Sequence, residues 1–234
     1  MTEEISSQNN EEKFTHVLMI ELDYVIVNLR EIEYQAIKKG IAPKGVELTN
    51  SMFSKSTMSP NHRALIANIL NSVGKKADAI EKAVNEVNKS IIEYCSENAV
   101  MSPGVVELIK TAHSRNVNVK LYSSLDNQIA KNLINKIGLA DMDIEIINPS
   151  EIGEFFPKAD DWLKMLKKAD IEDKTIVAVV SSQLACKGAL TAGASCIVVP
   201  DKFTDFQDFS GAMFILDKLN DKDPNHILDL TLRM

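Results

Sequence analysis

The chain has no long apolar run. Its longest, such as Ile176 to Val180, are far too short to span a bilayer. A basic cluster is also missing. With 26 Lys and Arg against 33 Asp and Glu, the net charge of −7 argues against nucleic acid or an anionic membrane as partner. Cysteine is scarce: Cys95, Cys186 and Cys196 form no CxxC pair, so they read as buried thiols of a reducing compartment and not as a zinc site or disulfide framework. His16, His62, His113 and His226 lack metal-ligand spacing. No glycines flank Ser181 and Ser182 in the manner of a nucleophile elbow, which argues against a serine hydrolase. The opening MTEEISSQNNEEK has no apolar segment, so residues 1–13 read as a disordered polar tail and not a secretory signal. These absences describe a cytoplasmic protein.

What is present is a rhythm. Val17 to Ile20 is a short apolar run of the kind that forms a parallel strand buried on both faces. Residues 30–97 then show helical spacing without a strand signal, with Pro60 suited to a first helical turn. From Pro103 strands and helices alternate. Strands are expected at Val117–Tyr122, near Ile144–Ile147, at Thr175–Val180 and at Cys196–Val199. Helices are expected at Val105–Arg115, Asn127–Ile137, Asp161–Lys168 and Ala185–Ala192. Repeated units of this length predict an α/β fold with a doubly wound, Rossmann-like parallel sheet.

Ligands of such a sheet bind outside the carboxyl ends of the strands, so the residues just past each strand matter most. The first strand ends HVLMIELDYVIVN, which places Glu21 and Asp23 together, one spacer apart. Two neighbouring acids are how an α/β enzyme presents a nucleophile beside an acid/base. Ser123 and Ser124 follow the second strand, Ser181 and Ser182 the fourth, and Lys158 lies in the loop GEFFPKADD. The plainer role for Ser123, Ser124, Ser181 and Ser182 is helix capping. Trp162 is expected to pack on the sheet.

These segments resemble, in order, the motifs of the haloacid dehalogenase-like hydrolases. The acid pair resembles that family's hhhhDxDxV motif, with glutamate at Glu21 in place of the aspartate that becomes phosphorylated. Ser123 in LYSS stands where the family binds the transferring phosphoryl group, and Lys158 where a lysine balances charge. VVSSQLACKGALTAGA, from Val179 to Ala194, is similar to the family's fEDSlaGveAAkaAGm, but its acidic metal-binding positions become Val180 and Ser181. MSPGVVELIK and DFSGAMFILDKL complete the resemblance, the latter pointing to the branch of β-phosphoglucomutase and sugar-phosphate phosphatases.

The resemblance implies a core at residues 14–29 and 98–234 and a helical cap at 30–97. It implies catalysis at Glu21 and Asp23, phosphate binding at Ser123, Ser124 and Lys158, and a metal site at Glu21, Asp23 and Ser181. Mg²⁺ there is expected to be weak or absent, because Ser181 brings only a neutral hydroxyl. Glu21 carries one methylene too many, and Tyr24 replaces a glycine beneath the substrate. The implied function is therefore an impaired phosphatase that retains a cleft for phosphate or a small phosphorylated metabolite. An active Mg²⁺-dependent sugar-phosphate phosphatase and a non-enzymatic interaction module are the alternatives.

Overall fold

A computed structural model describes residues 14–59, 62–75, 78–142, 144–148 and 158–232. The expected tail, Pro60 and most of the loop before Lys158 lie outside the described residues.

Strand β1 (His16–Glu21) is the centre of the molecule. It pairs in parallel with β2 (Asn118–Tyr122) on one side and β4 (Thr175–Val180) on the other. Strand β3 (Glu145–Ile147) extends the sheet beyond β2, while β5 (Ser195–Val198) and β6 (Phe214–Ile215) extend it beyond β4. The order is β3-β2-β1-β4-β5-β6, with every pairing parallel. This is the doubly wound sheet expected from the βα rhythm.

The apolar strand runs follow from burial on both faces. Leu18 and Ile20 enter one core with Val119, Leu121, Val177 and Val179. Val17 and Met19 enter the other with Ala178, Val180 and Cys196. A strand whose alternate residues both leave water has no polar face, so its sequence reads as unbroken hydrophobic. Helices α5 (Val105–Ser114), α6 (Asn127–Lys136) and α9 (Pro224–Thr231) contribute to the first core, and α7 (Ala159–Lys168) and α8 (Gln183–Thr191) to the second. Trp162 is fully buried in that second core, edge-on to Tyr122 at 5.3 Å between ring centroids.

Between β1 and α5 the chain forms helices α1 (Leu29–Ile41), α2 (Asn50–Ser56), α3 (His62–Ser72) and α4 (Asp78–Glu97). The Thr49 hydroxyl caps α2 by accepting from the Met52 N–H at 3.2 Å. This segment leaves and returns at one place, because Val27 and Met101 form an antiparallel bridge and the Ser102 N–H donates to the Ile26 carbonyl at 2.8 Å.

Two elements were not anticipated. Strand β6 has two residues, too few for a period-two signal. Helix α9 did carry a start signal, Asp223 before Pro224, in which Asp223 Oδ1 accepts from the Asn225 N–H at 2.8 Å.

An aromatic cluster ties α1 and α2 to the loop after β5. Phe53 packs edge-on against Tyr34 at 5.3 Å and against Phe203 at 4.7 Å, and it is fully buried. Phe53→Ala is expected to cost about 3–5 kcal/mol, read from the denaturant midpoint of the variant against the parent.

Candidate active site

The sheet register carries three chain segments to one edge. Glu21 pairs with Tyr122 and Ile20 with Val179, so the residues just beyond β1, β2 and β4 emerge together. Ser181 follows β4, and its backbone N–H donates to Glu21 Oε2 at 2.8 Å. Immediately after Glu21 the backbone makes a π-type turn, Leu22–Ile26, which folds Asp23 and Tyr24 back over the strand ends.

Asp23 is held by both serines beyond β2. The Ser123 hydroxyl donates to Oδ1 at 2.6 Å, while the Ser124 N–H and hydroxyl donate to Oδ2 at 2.7 and 2.6 Å. Capping of α6 falls to Asp126 instead, whose carboxylate accepts from the Gln128 N–H at 2.9 Å. Ser182 does cap α8, accepting from the Ala185 N–H at 3.3 Å. Ser181 stands one residue before that cap, and its hydroxyl accepts from a residue that the sequence did not mark.

That residue is Arg30. Its guanidinium donates from Nη1 to Asp201 Oδ2 at 2.5 Å and from Nη2 to Ser181 Oγ at 3.0 Å, and it stacks on the Tyr24 ring 4.1 Å from the centroid. Asp201, in the loop after β5, is braced in turn by the Phe203 N–H, which donates to Oδ1 at 2.8 Å. A cation in the first turn of α1 works against the helix dipole, and burial works against it again. Only the surrounding acids make the placement tenable. Helical spacing hid Arg30, since it reads as an ordinary polar position at the start of an amphipathic helix.

A second buried chain adjoins the first. Tyr24 donates its hydroxyl to Glu33 Oε1 at 2.6 Å, and His62 Nε2 lies 2.8 Å from the same oxygen. His62 thus pairs with a carboxylate. Lys158 stands just before α7 with its side chain exposed.

Burial sets the electrostatics. It raises the Glu21 carboxyl to about 7, with the Arg30 charge and the Ser181 hydrogen bond opposing the rise. Burial also raises Asp23, despite its three hydrogen bonds from Ser123 and Ser124. Glu33 moves the other way: burial would raise it, but His62, the Tyr24 hydroxyl and Arg30 together hold it low. Burial disfavours the Arg30 charge, and Asp201 foremost, with Tyr24, Glu21 and Glu33, more than restores it.

A buried acid pair thus stands at the carboxyl edge of a doubly wound parallel sheet, faced by serines that follow the neighbouring strands, as in α/β proteins that bind ligands at that edge. The chain belongs to the haloacid dehalogenase-like hydrolases, whose sequence pattern matches residues 18–199. It is similar to the Bacillus subtilis (strain 168) protein YhcW, named as a candidate phosphatase, at 23% identity over 82% of this chain and 88% of the relative. In fold it is similar to the β-phosphoglucomutase of Clostridium difficile (TM-score 0.73, 18% identity, 93% of this chain and 97% of the other). A CbbY mutant from Rhodobacter sphaeroides in complex with xylulose-(1,5)bisphosphate also matches (TM-score 0.73, 18% identity, 88% of this chain and 95% of the other). At these identities the structural likeness establishes the fold. No helix among the described residues is long and apolar enough to cross a membrane.

The Glu21 shift has a testable consequence. Unfolded, the carboxyl titrates near 4.5; folded, it titrates near 7. Between those values the native chain holds a proton that the unfolded chain has released. Stability therefore falls as pH rises through this window, by about 3 kcal/mol in all. Urea midpoints of the parent are expected to decline from about pH 5 to about pH 8 more steeply than those of Glu21→Gln, which lacks this titration.

Proposed function

We propose that this chain is an impaired phosphatase of the β-phosphoglucomutase-like branch, working in the cytoplasm, that keeps a cleft for phosphate or a small phosphorylated metabolite. The observation that carries this reading is the state of Asp23. Its carboxylate takes the very donors, Ser123 Oγ and the N–H and Oγ of Ser124, that would cradle a phosphoryl group. The cradle is therefore present and shaped for an anion, while the acid meant for proton transfer is tied into it. Glu21, the implied nucleophile, is tied down as well by the Ser181 N–H and stands one methylene further from the backbone than an aspartate would. Lys158 is read as the cradle's outlying cation. The sugar bisphosphate bound by the CbbY mutant supports a phosphorylated ligand of this class.

Residues 14–29 and 98–234 are read as the catalytic core and 30–97 as its helical cap. The bridge between Val27 and Met101 supports this division, because it brings the two ends of the helical segment together.

Mg²⁺ in this cleft is read as weak or absent. Mg²⁺ needs a near-octahedral set of oxygens, usually with one or two carboxylates free to bind it. Here Glu21 Oε2 and the Ser181 hydroxyl already have partners. Among the described residues no group of three or more His, Cys, Asp or Glu side chains is arranged to hold a metal. On its chemistry, with a neutral hydroxyl at position 181 where a carboxylate would serve, this donor set is a poor fit for the ion, which supports the reading.

A Mg²⁺-supplemented screen of sugar phosphates is expected to show turnover no greater in the parent than in Asp23→Asn. Robust hydrolysis that Glu21→Gln abolishes would overturn the impaired reading. Asp23→Asn is further expected to bind inorganic phosphate about tenfold more tightly by calorimetry, because a neutral amide repels the anion less and competes less for Ser123 and Ser124. If no variant binds any phosphate ester, the chain is an interaction module instead.

A further inference from the structure

We infer that Arg30 is the resident cation of this cleft, a guanidinium built into the chain that takes the charge-balancing place of a divalent metal and excludes one. The inference rests on the reading of the cleft given above and adds the group responsible. Arg30 is 5% exposed and reaches two neighbouring strand ends directly. It is bonded to Ser181 after β4 and to Asp201 after β5 at 3.0 and 2.5 Å. Through Ser181, whose N–H holds Glu21 at 2.8 Å, it closes onto the end of β1.

A guanidinium fits this role physically. Its planar fork serves a carboxylate and a hydroxyl at once, and its weak hydration lets it be buried where an ammonium would resist. The Tyr24 ring, 4.1 Å beneath, adds a face of negative charge. A tyrosine where the chain otherwise turns under a substrate thus has a function: it is the platform for the cation. Serine at position 181 is matched to Arg30 as well. A hydroxyl accepts the second guanidinium bond without adding a negative charge that a metal could use.

Several consequences follow for ions. A divalent cation placed among Glu21, Asp201 and Ser181 meets a fixed positive charge at hydrogen-bond range, and must compete for both Asp201 oxygens, Glu21 Oε2 and Ser181 Oγ with donors already bonded to them. An anionic ester meets the reverse and needs no metal to balance it. Restoring an acid at position 181 does not rebuild a metal site while Arg30 remains, because the new carboxylate pairs with the guanidinium. Removing Arg30 leaves Glu21 and Asp201 uncompensated and open to an ion.

The test is Mn²⁺ binding, followed by electron paramagnetic resonance of the free ion and by calorimetry, with folding checked by circular dichroism. The parent, Arg30→Lys and Ser181→Asp are expected to leave Mn²⁺ free. Arg30→Gln combined with Ser181→Asp is expected to bind it at least about tenfold more tightly than Ser181→Asp alone. Mn²⁺ binding by the parent as tight as by the double variant would overturn the assignment, as would full gain from Ser181→Asp alone. Should the Arg30→Gln chains fail to fold, Ser181→Asp decides by itself: bound Mn²⁺ overturns the assignment and free Mn²⁺ supports it. Turnover is read separately. Metal-free hydrolysis by the parent would sink the impaired reading and leave Arg30 its role, whereas Mn²⁺ binding without hydrolysis would do the reverse.

Discussion

A guanidinium buried among strand ends must be paired, and the pairing of Arg30 constrains everything near it. Breaking such a pair on one side typically costs about 3–5 kcal/mol, because the other charge is left without solvent or partner. Asp201 is therefore committed to Arg30, and the Phe203 N–H is committed to steadying Asp201. Ser181 is drawn to the same guanidinium, while the next residue, Ser182, caps α8. The helix that carries Arg30 is thereby fixed against the carboxyl edge of the sheet. Phe53, Tyr34 and Phe203 pack behind that junction, so aromatic burial and ion pairing locate α1 together.

Around this cation the acids divide by environment. Glu21 and Asp23 lie two residues apart, and burial raises both. Glu33 is buried too, yet it is held low because His62 and Tyr24 meet it directly. Burial alone does not decide a carboxyl group's charge; the nearest donors and cations do. Tyr24 joins the two halves of this arrangement. Its ring supports the guanidinium while its hydroxyl reaches Glu33. The chain from Asp201 through Arg30 and Tyr24 to Glu33 and His62 thus links the loop after β5 to α1 and α3.

Polar groups in this cleft are satisfied by one another. The groups named at the ends of β1, β2, β4 and β5 have protein partners: Glu21 with Ser181, Asp23 with Ser123 and Ser124, Asp201 with Arg30. A catalytic site ordinarily keeps such groups poised toward a reacting atom, at some cost in stability. Under the proposed function, a phosphorylated ligand competes for Ser123 and Ser124 with the Asp23 carboxylate already bonded there.

The periodicities by themselves determined the sheet. Apolar runs such as Val17–Ile20 and Thr175–Val180 report burial on both faces, and the helical spacings between them leave few topologies open. The same reasoning marked Glu21, Asp23, Ser123, Ser124 and Ser181 as strand-end residues, because position in a doubly wound sheet is a local property of the sequence. Their partners were not legible. Arg30 and Ser181 are separated by 151 residues, and Arg30 and Asp201 by 171. No local pattern encodes which polar groups meet across such distances. Nor does any show that Tyr24 supports a guanidinium, or that His62 meets Glu33. Those outcomes depend on which strand ends the sheet order makes neighbours and on which charges burial forces to pair. Only the tertiary structure decided them.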